Sequence, residues 1–302
     1  MSGTTSGTRL EAPHCLWQIR VVASPILIAV FIFLFGLIIG SFLNVCIVRI
    51  PGGKSIVLPA SACPKCGAAI RPYDNIPVIS YVLLAGKCRK CKTRISAMYP
   101  AVELLTGLLF LACYETFGLT AEALKWAIFS AIVIVLVFTD LRDRVLPDVV
   151  NYTGLGLGLV LSLFTKPIDG TAAWLANRMF DFPPPAPVVS LADALIGAAI
   201  GSSLLWLVSE TYFRLRGRVG MGLGDVKMML MAGAFLGAKR TLLTIFTGSV
   251  LGSVLGLLFI LSRRKDSDYE LPFGTFLGIA ALLVVFFGTP AINWYQSLLG
   301  VR

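Results

Sequence analysis

The sequence predicts an all-α polytopic membrane protein of about eight transmembrane helices, with a small folded loop domain between helices 1 and 2. Three observations carry the prediction. Hydrophobic residues make up 57% of the 302 and charged residues 14%, where a soluble domain holds roughly 25% charged. Apolar runs near bilayer-crossing length recur along the whole chain. Four of the seven cysteines gather as two close pairs in one basic stretch after the first run.

The elements follow in order. Residues 1–23 form a polar N-terminal tail. The first apolar run, Ser24–Ile47, is too long for a signal-peptide core and reads as a retained membrane helix. Residues 48–97 have the composition of a small folded domain. Further spans are predicted at Met98–Phe117, Ala121–Thr139, Asp148–Phe164, Val189–Ser209, Gly224–Ala238, Leu242–Ser262 and Pro272–Phe287, giving a membrane core over 98–290. The sixth span is short and contains glycine. Residues 291–302 form a C-terminal tail. The connection Lys166–Val188, which holds Pro183-Pro184-Pro185-Ala186-Pro187, reads as a stiff outward spacer.

Charge sets the orientation. The net charge of +10 could point to nucleic acid, but the basic residues cluster in loops between apolar runs, which the positive-inside rule explains without a nucleic-acid partner. With eight spans, eighteen of the 26 Lys and Arg fall on one side: the Arg49–Arg94 loop, then Arg142 and Arg144, Arg214 to Arg218, Lys227, and Arg263 to Lys265. That side is cytoplasmic, both termini face outward, and the ends of the third and sixth spans share the cytoplasmic boundary.

The loop carries Cys63-Pro64-Lys65-Cys66 and Cys88-Arg89-Lys90-Cys91. Two thiolates three positions apart grip one side of a tetrahedral metal, and a second pair completes the shell. Gly67 supplies the small residue such a turn favours. In a reducing cytoplasm disulfides rarely persist, and four sulfurs with no spare ligand suit a closed, structural Zn²⁺ site. Cys46 and Cys113 lie in or beside apolar runs and read as small buried hydrophobes.

Two acids stand at the cytoplasmic ends of apolar runs. Asp225 follows Gly222-Leu223-Gly224, glycines that permit close approach, and a carboxylate there is costly. In Asp140-Leu141-Arg142-Asp143-Arg144-Val145-Leu146-Pro147-Asp148, three acids compete. Asp148 suits a helix N-terminus, and Asp143 lies beside two arginines as a surface charge. Asp140 continues the apolar run and faces the bundle interior. The alternatives are a helix cap for Asp140 and an ion pair with Lys227 for Asp225. Two nearby carboxyls in a partly dry site share one proton, so one activates water while the other donates to a carbonyl. The single histidine, His14, lies in the tail, which excludes a Ser–His relay or a HExxH metalloprotease.

Further motifs flank these: Gly40-Ser41-Phe42-Leu43-Asn44-Val45, Arg49-Ile50-Pro51, Asp74-Asn75-Ile76-Pro77, Met98-Tyr99-Pro100 and Glu103-Leu104-Leu105-Thr106-Gly107. With the cysteine pairs, Asp140 and Gly222–Asp225, the chain resembles the bacterial type IV prepilin peptidases, also called prepilin leader peptidase/N-methyltransferases, from about Gly36 to Phe276. The resemblance implies a membrane aspartyl endopeptidase of the bacterial inner membrane, embedded in lipid, with Asp140 and Asp225 catalytic at the cytoplasmic face. It implies cleavage of a prepilin or pseudopilin after the glycine that ends a basic leader. It also implies methylation of the new amine from S-adenosylmethionine, to which Gly86 is linked by position. The glycines at 220, 222 and 224 are expected to form a flexible substrate entry. From other classes, the same features fit a cation transporter with a zinc-stapled loop, or a zinc-domain scaffold without catalysis.

Overall fold

The computed structural model describes residues 25–179, 184–218, 220–263, 272–298 and 300. The predicted tail 1–23, with His14 and Cys15, lies outside the described residues, as do Pro183, Arg264 and Lys265.

Helix α1 (Pro25–Arg49) leads into the loop domain, where α2 (Ile79–Leu83) follows a short 3-10 turn at Pro72–Asp74. The bundle continues with α3 (Met98–Phe117), α4 (Ala121–Asp143), α5 (Asp148–Ser162), α6 (Thr171–Met179), α7 (Ala186–Arg216), α8 (Leu223–Arg263) and α9 (Phe273–Leu298). Among the described residues there are no strands beyond two isolated bridges. Six of these helices are long and apolar enough to cross a bilayer: α1, α3, α4, α7, α8 and α9. α5 has fifteen residues, roughly 22 Å against a hydrocarbon core of about 30 Å. Its predicted last residues, Leu163 and Phe164, leave the helix through tight turns to Val160 and Leu161.

The predicted sixth and seventh spans share α8, which breaks at Gly237 (φ 73°, ψ 179°). The break is a reversal. A methyl group placed on Gly201 of α7 would lie 2.6 Å from the Met229 carbonyl oxygen and 2.9 Å from the Thr241 methyl. Those residues stand twelve apart, roughly 18 Å along a straight helix, so the halves 223–236 and 238–263 fold back antiparallel. Glycine is required at the tip because this backbone region is closed to residues with a Cβ.

Two more expectations need correction. The connection predicted as a proline spacer holds α6, and it is tied down: Asp193 of α7, fully buried, accepts from the Ile168 and Ala172 amides at 3.2 and 2.7 Å. The predicted C-terminal tail is helical as far as Leu298, because α9 runs on past Pro290.

Close backbone crossings hold the bundle. A methyl on Gly197 would sit 2.3 Å from the Gly233 carbonyl, and one on Gly40 would sit 2.6 Å from the Glu103 Cα. Small residues let helices approach this closely in lipid, where dispersion and not hydrophobicity drives association. The innermost layer joins Phe129, Val133 and Leu136 of α4 to Met228, Met231 and Phe235 of α8. α1 is peripheral; Phe31, Phe35 and Ile38 stay exposed, as a lipid-facing surface requires.

Candidate active site

The two predicted acids meet at one end of the bundle. α4 runs past the predicted boundary to Asp143, where Arg144 ends it in a left-handed conformation, so Asp140 occupies the last turn. α8 begins at Leu223, so Asp225 occupies the first turn. Both are buried, at 6% and 8% exposure. A methyl on Gly274, in the first turn of α9, would lie 3.0 Å from Asp225 Oδ1 and 3.2 Å from Asp140 Oδ2. The two oxygens are therefore no further apart than those distances combined, near the span one hydrogen-bonded water bridges.

The surrounding groups fix this pair. Thr275 donates twice to Asp140 Oδ2, from its backbone amide at 2.7 Å and its hydroxyl at 2.8 Å. Leu146 closes the site from the α4–α5 link, its Cδ1 2.8 Å from a methyl on Gly274. Gly274 and Thr275 escaped the sequence reading. A Gly-Thr pair opening a helix carries no local sign of a partner 135 residues earlier.

The competing assignments resolve on geometry. Asp140 does not cap its own helix; its side chain bonds across to α9. Lys227 does not pair with Asp225. Its ammonium meets the Asp148 carboxylate at 2.7 and 2.8 Å, joining α5 to α8 outside the buried pair. Asp143 faces Arg142 at 3.6 Å near the surface. Of the nearby glycines, Gly220 and Gly224 are closely packed, since methyls there would meet the Tyr212 ring at 2.4 Å and Leu146 at 3.1 Å, whereas Gly222 is exposed and a methyl there would meet nothing closer than Asp225 Oδ2 at 3.6 Å.

The four predicted cysteines also converge, all sulfurs lying within 4.8 Å of one another. Cys63 and Cys91 sulfurs are 3.8 Å apart, the edge of a tetrahedron with Zn–S bonds of about 2.3 Å. Each pair sits in the same knuckle. Gly67 (φ 66°) donates its amide to Cys63 O, and Lys92 (φ 57°) donates to Cys88 O. The amides of Cys66 and Lys65 hold the Cys63 thiol below the usual thiol range, at about 6, whereas Cys91 in the same crowded sulfur cluster is pushed up to about 11. Arg89 grips Asp74 at 2.6 to 3.0 Å and holds its carboxyl below the usual carboxylate range. Gly86 (φ 66°) follows α2, and a methyl there would press on the Tyr81 phenol at 2.9 Å. Its small size is a packing requirement. Cys46 and Cys113 are buried hydrophobes, as their runs predicted.

The loop domain and the acid pair share one end of the molecule. Ile47, Val102, Ile134 and Val135 form one core with Met98 and Phe138, and Phe138 also packs into the main core beneath the acids.

The chain is similar to known proteins over most of its length. A family model described as Bacterial Peptidase A24 N-terminal domain matches residues 34–117, which contain the cysteine quartet. One described as Type IV leader peptidase family matches residues 127–257, which contain both acids. The chain is similar to the prepilin leader peptidase/N-methyltransferase of Pseudomonas aeruginosa, at 34% identity over 89% of this chain and 93% of the relative. It is also similar to proteins of that name from Myxococcus xanthus (36% identity, 79% and 65% covered) and Aeromonas hydrophila (32%, 88% and 93%). No solved structure matches the chain. Helical fold and peptidase match together define a multi-pass membrane protease. The chain belongs to the type IV leader peptidase family. Nothing in these matches supports a cation transporter or a scaffold without catalysis.

Proposed function

We propose that this protein removes the leader peptide from type IV prepilins or pseudopilins at the cytoplasmic face of the bacterial inner membrane, with Asp140 and Asp225 as the catalytic pair, and then N-methylates the new terminus. The carrying observation is the approach of both carboxylates to Gly274 at a buried helix end. A hydrophobic substrate helix lies in lipid beside the bundle and presents its polar cytoplasmic end at that depth. One carboxyl takes a proton from water, and the other donates to the scissile carbonyl oxygen. Thr275 keeps Asp140 oriented through the step. The basic residues crowding this end, including Arg49, Arg142, Arg214 and Lys227, support a cytoplasmic orientation.

The cysteine quartet suits Zn²⁺ held by Cys63, Cys66, Cys88 and Cys91. A closed four-sulfur site supplies folding energy to a loop domain that has little core of its own. The methyl donor is S-adenosylmethionine. Gly86 acts there through Tyr81, whose ring it lets settle against the chain.

Purified full-length protein in lipid vesicles, given a prepilin, tests the reading by mass spectrometry. The product is expected to lack its leader and to be heavier by one methylene than the bare cleaved chain. An uncut prepilin overturns the peptidase assignment; a cut but unmodified product removes the methylation.

A further inference from the structure

A cavity of about 1000 Å³ opens where the end of α1, the start of α3 and the loop domain meet. Its walls include Ser41, Asn44, Tyr81, Tyr99 and Glu103. Three features mark it as a built site. First, Glu103 is 8% exposed, and its carboxylate accepts from the Val78 amide at 2.7 Å and from the Ser41 hydroxyl. Among the described residues no Lys or Arg forms an ion pair with it. A buried carboxylate without a counter-ion is costly, so the group either keeps its proton or takes up a cation. Second, Asn44 is 4% exposed, and its Nδ2 is committed to the Tyr99 carbonyl at 3.0 Å, while its Oδ1 has no partner. Third, basic residues Arg71, Lys90 and Arg94 line the loop-domain side.

We propose that this cavity is where the new N-terminal amine is methylated, with Glu103 as proton acceptor and Asn44 as the group that positions the amine; this rests on the methylation reading above. Both reactants suit it. A free α-amine is largely protonated at neutral pH, and a sulfonium methyl donor carries a fixed positive charge, so each offers a cation to Glu103. Tyr81 and Tyr99 also line the cavity, and phenol rings favour cations. The carboxylate of an amino-acid sulfonium matches the basic wall. In the reaction the amine gives a proton to Glu103 and its lone pair to the methyl carbon. The carbon–sulfur bond breaks, its electron pair stays on sulfur, and a neutral thioether leaves. Asn44 Oδ1 accepts a remaining amine N–H and so aims the lone pair. The cavity and the acid pair lie at the same end of the bundle, joined through Phe138, so a cleaved chain reaches the cavity without leaving that face.

The test uses full-length protein in detergent and S-adenosyl-L-methionine labelled on its methyl group. Ultraviolet cross-linking is expected to attach label to peptides holding Tyr81 or Tyr99. Glu103→Gln keeps the neutral shape and is expected to lower methylation at least about 100-fold, with cleavage within about twofold of the parent. If Glu103→Gln loses cleavage as well, Asn44→Ala decides, since methylation lost with cleavage retained supports the site. Parental methylation by Glu103→Gln or Asn44→Ala, or label confined to helices around Asp140, overturns the proposal. A parent protein that cleaves without methylating removes the earlier reading. In that case, absence of label from the cavity peptides refutes the site as well.

Discussion

At the scale of single residues, the acid pair depends on groups that have no charge of their own. Gly274 is the clearest. Its missing side chain is the space between two carboxylates and Leu146, and an added methyl meets all three at 2.8 to 3.2 Å. Overpacking of this kind costs about 1–3 kcal/mol. Gly274→Ala is therefore expected to slow leader removal about tenfold or more in a bundle that still folds, measured by initial cleavage rates. Thr275→Val keeps the backbone bond to Asp140 and removes the hydroxyl one. A hydrogen bond to a charged group contributes about 1.5–3 kcal/mol, so cleavage is expected to fall roughly 10- to 100-fold. An unchanged rate in Thr275→Val would show that the hydroxyl does not orient Asp140. The acids themselves were legible in sequence, because a carboxylate interrupting an apolar run is expensive wherever the run ends. Gly274 and Thr275 were not. Their role arises only when α9 docks on α4, a contact that no local pattern encodes.

At the scale of elements, eight apolar segments were legible from hydropathy, and each lies on a helix. Their geometry was less so. Sequence marked the sixth span as short and glycine-containing, and the reason is the hairpin tip at Gly237. Periodicity could not report that two spans share one element, since the reversal at Gly237 needs just one residue. Gly237→Ala places a Cβ in a backbone region that costs about 1–3 kcal/mol and brings it 3.1 Å from the Asp169 carboxylate. Its melting temperature in detergent is expected to drop by several degrees. Gly197→Leu meets backbone directly, at 2.3 Å from Gly233 O, and is expected to do more damage than Gly237→Ala. The reverse order would mean that α7 and the 223–236 half pack less tightly than described. α6 was missed because prolines dominate its surroundings; the buried Asp193 that holds the preceding turn lies on another helix.

At the scale of the whole molecule, the acid pair and the cysteine quartet occupy one end of a membrane bundle. The cysteine quartet was fully legible because metal-ligand spacing is local. What it borders was not, since the cavity needs α1, α3 and the loop together. In the proposed function, cleavage rests on helices α4, α8 and α9, and methylation on α1, α3 and the cysteine loop. Replacing Cys63 and Cys88 by serine is expected to abolish bound zinc, read by elemental analysis, and to lose methylation well before cleavage. Equal loss of both activities would mean that the loop domain also shapes the acid pair.

The central claim is that Asp140 and Asp225 act as one unit. The most direct measurement is the cleavage rate of Asp140→Asn, Asp225→Asn and the double variant, each checked for parental melting temperature. Each single variant is predicted to lose at least about 1000-fold, and the double no more than either alone, because groups acting together are not additive. Substantial cleavage by either single variant, or losses that multiply in the double, would contradict it.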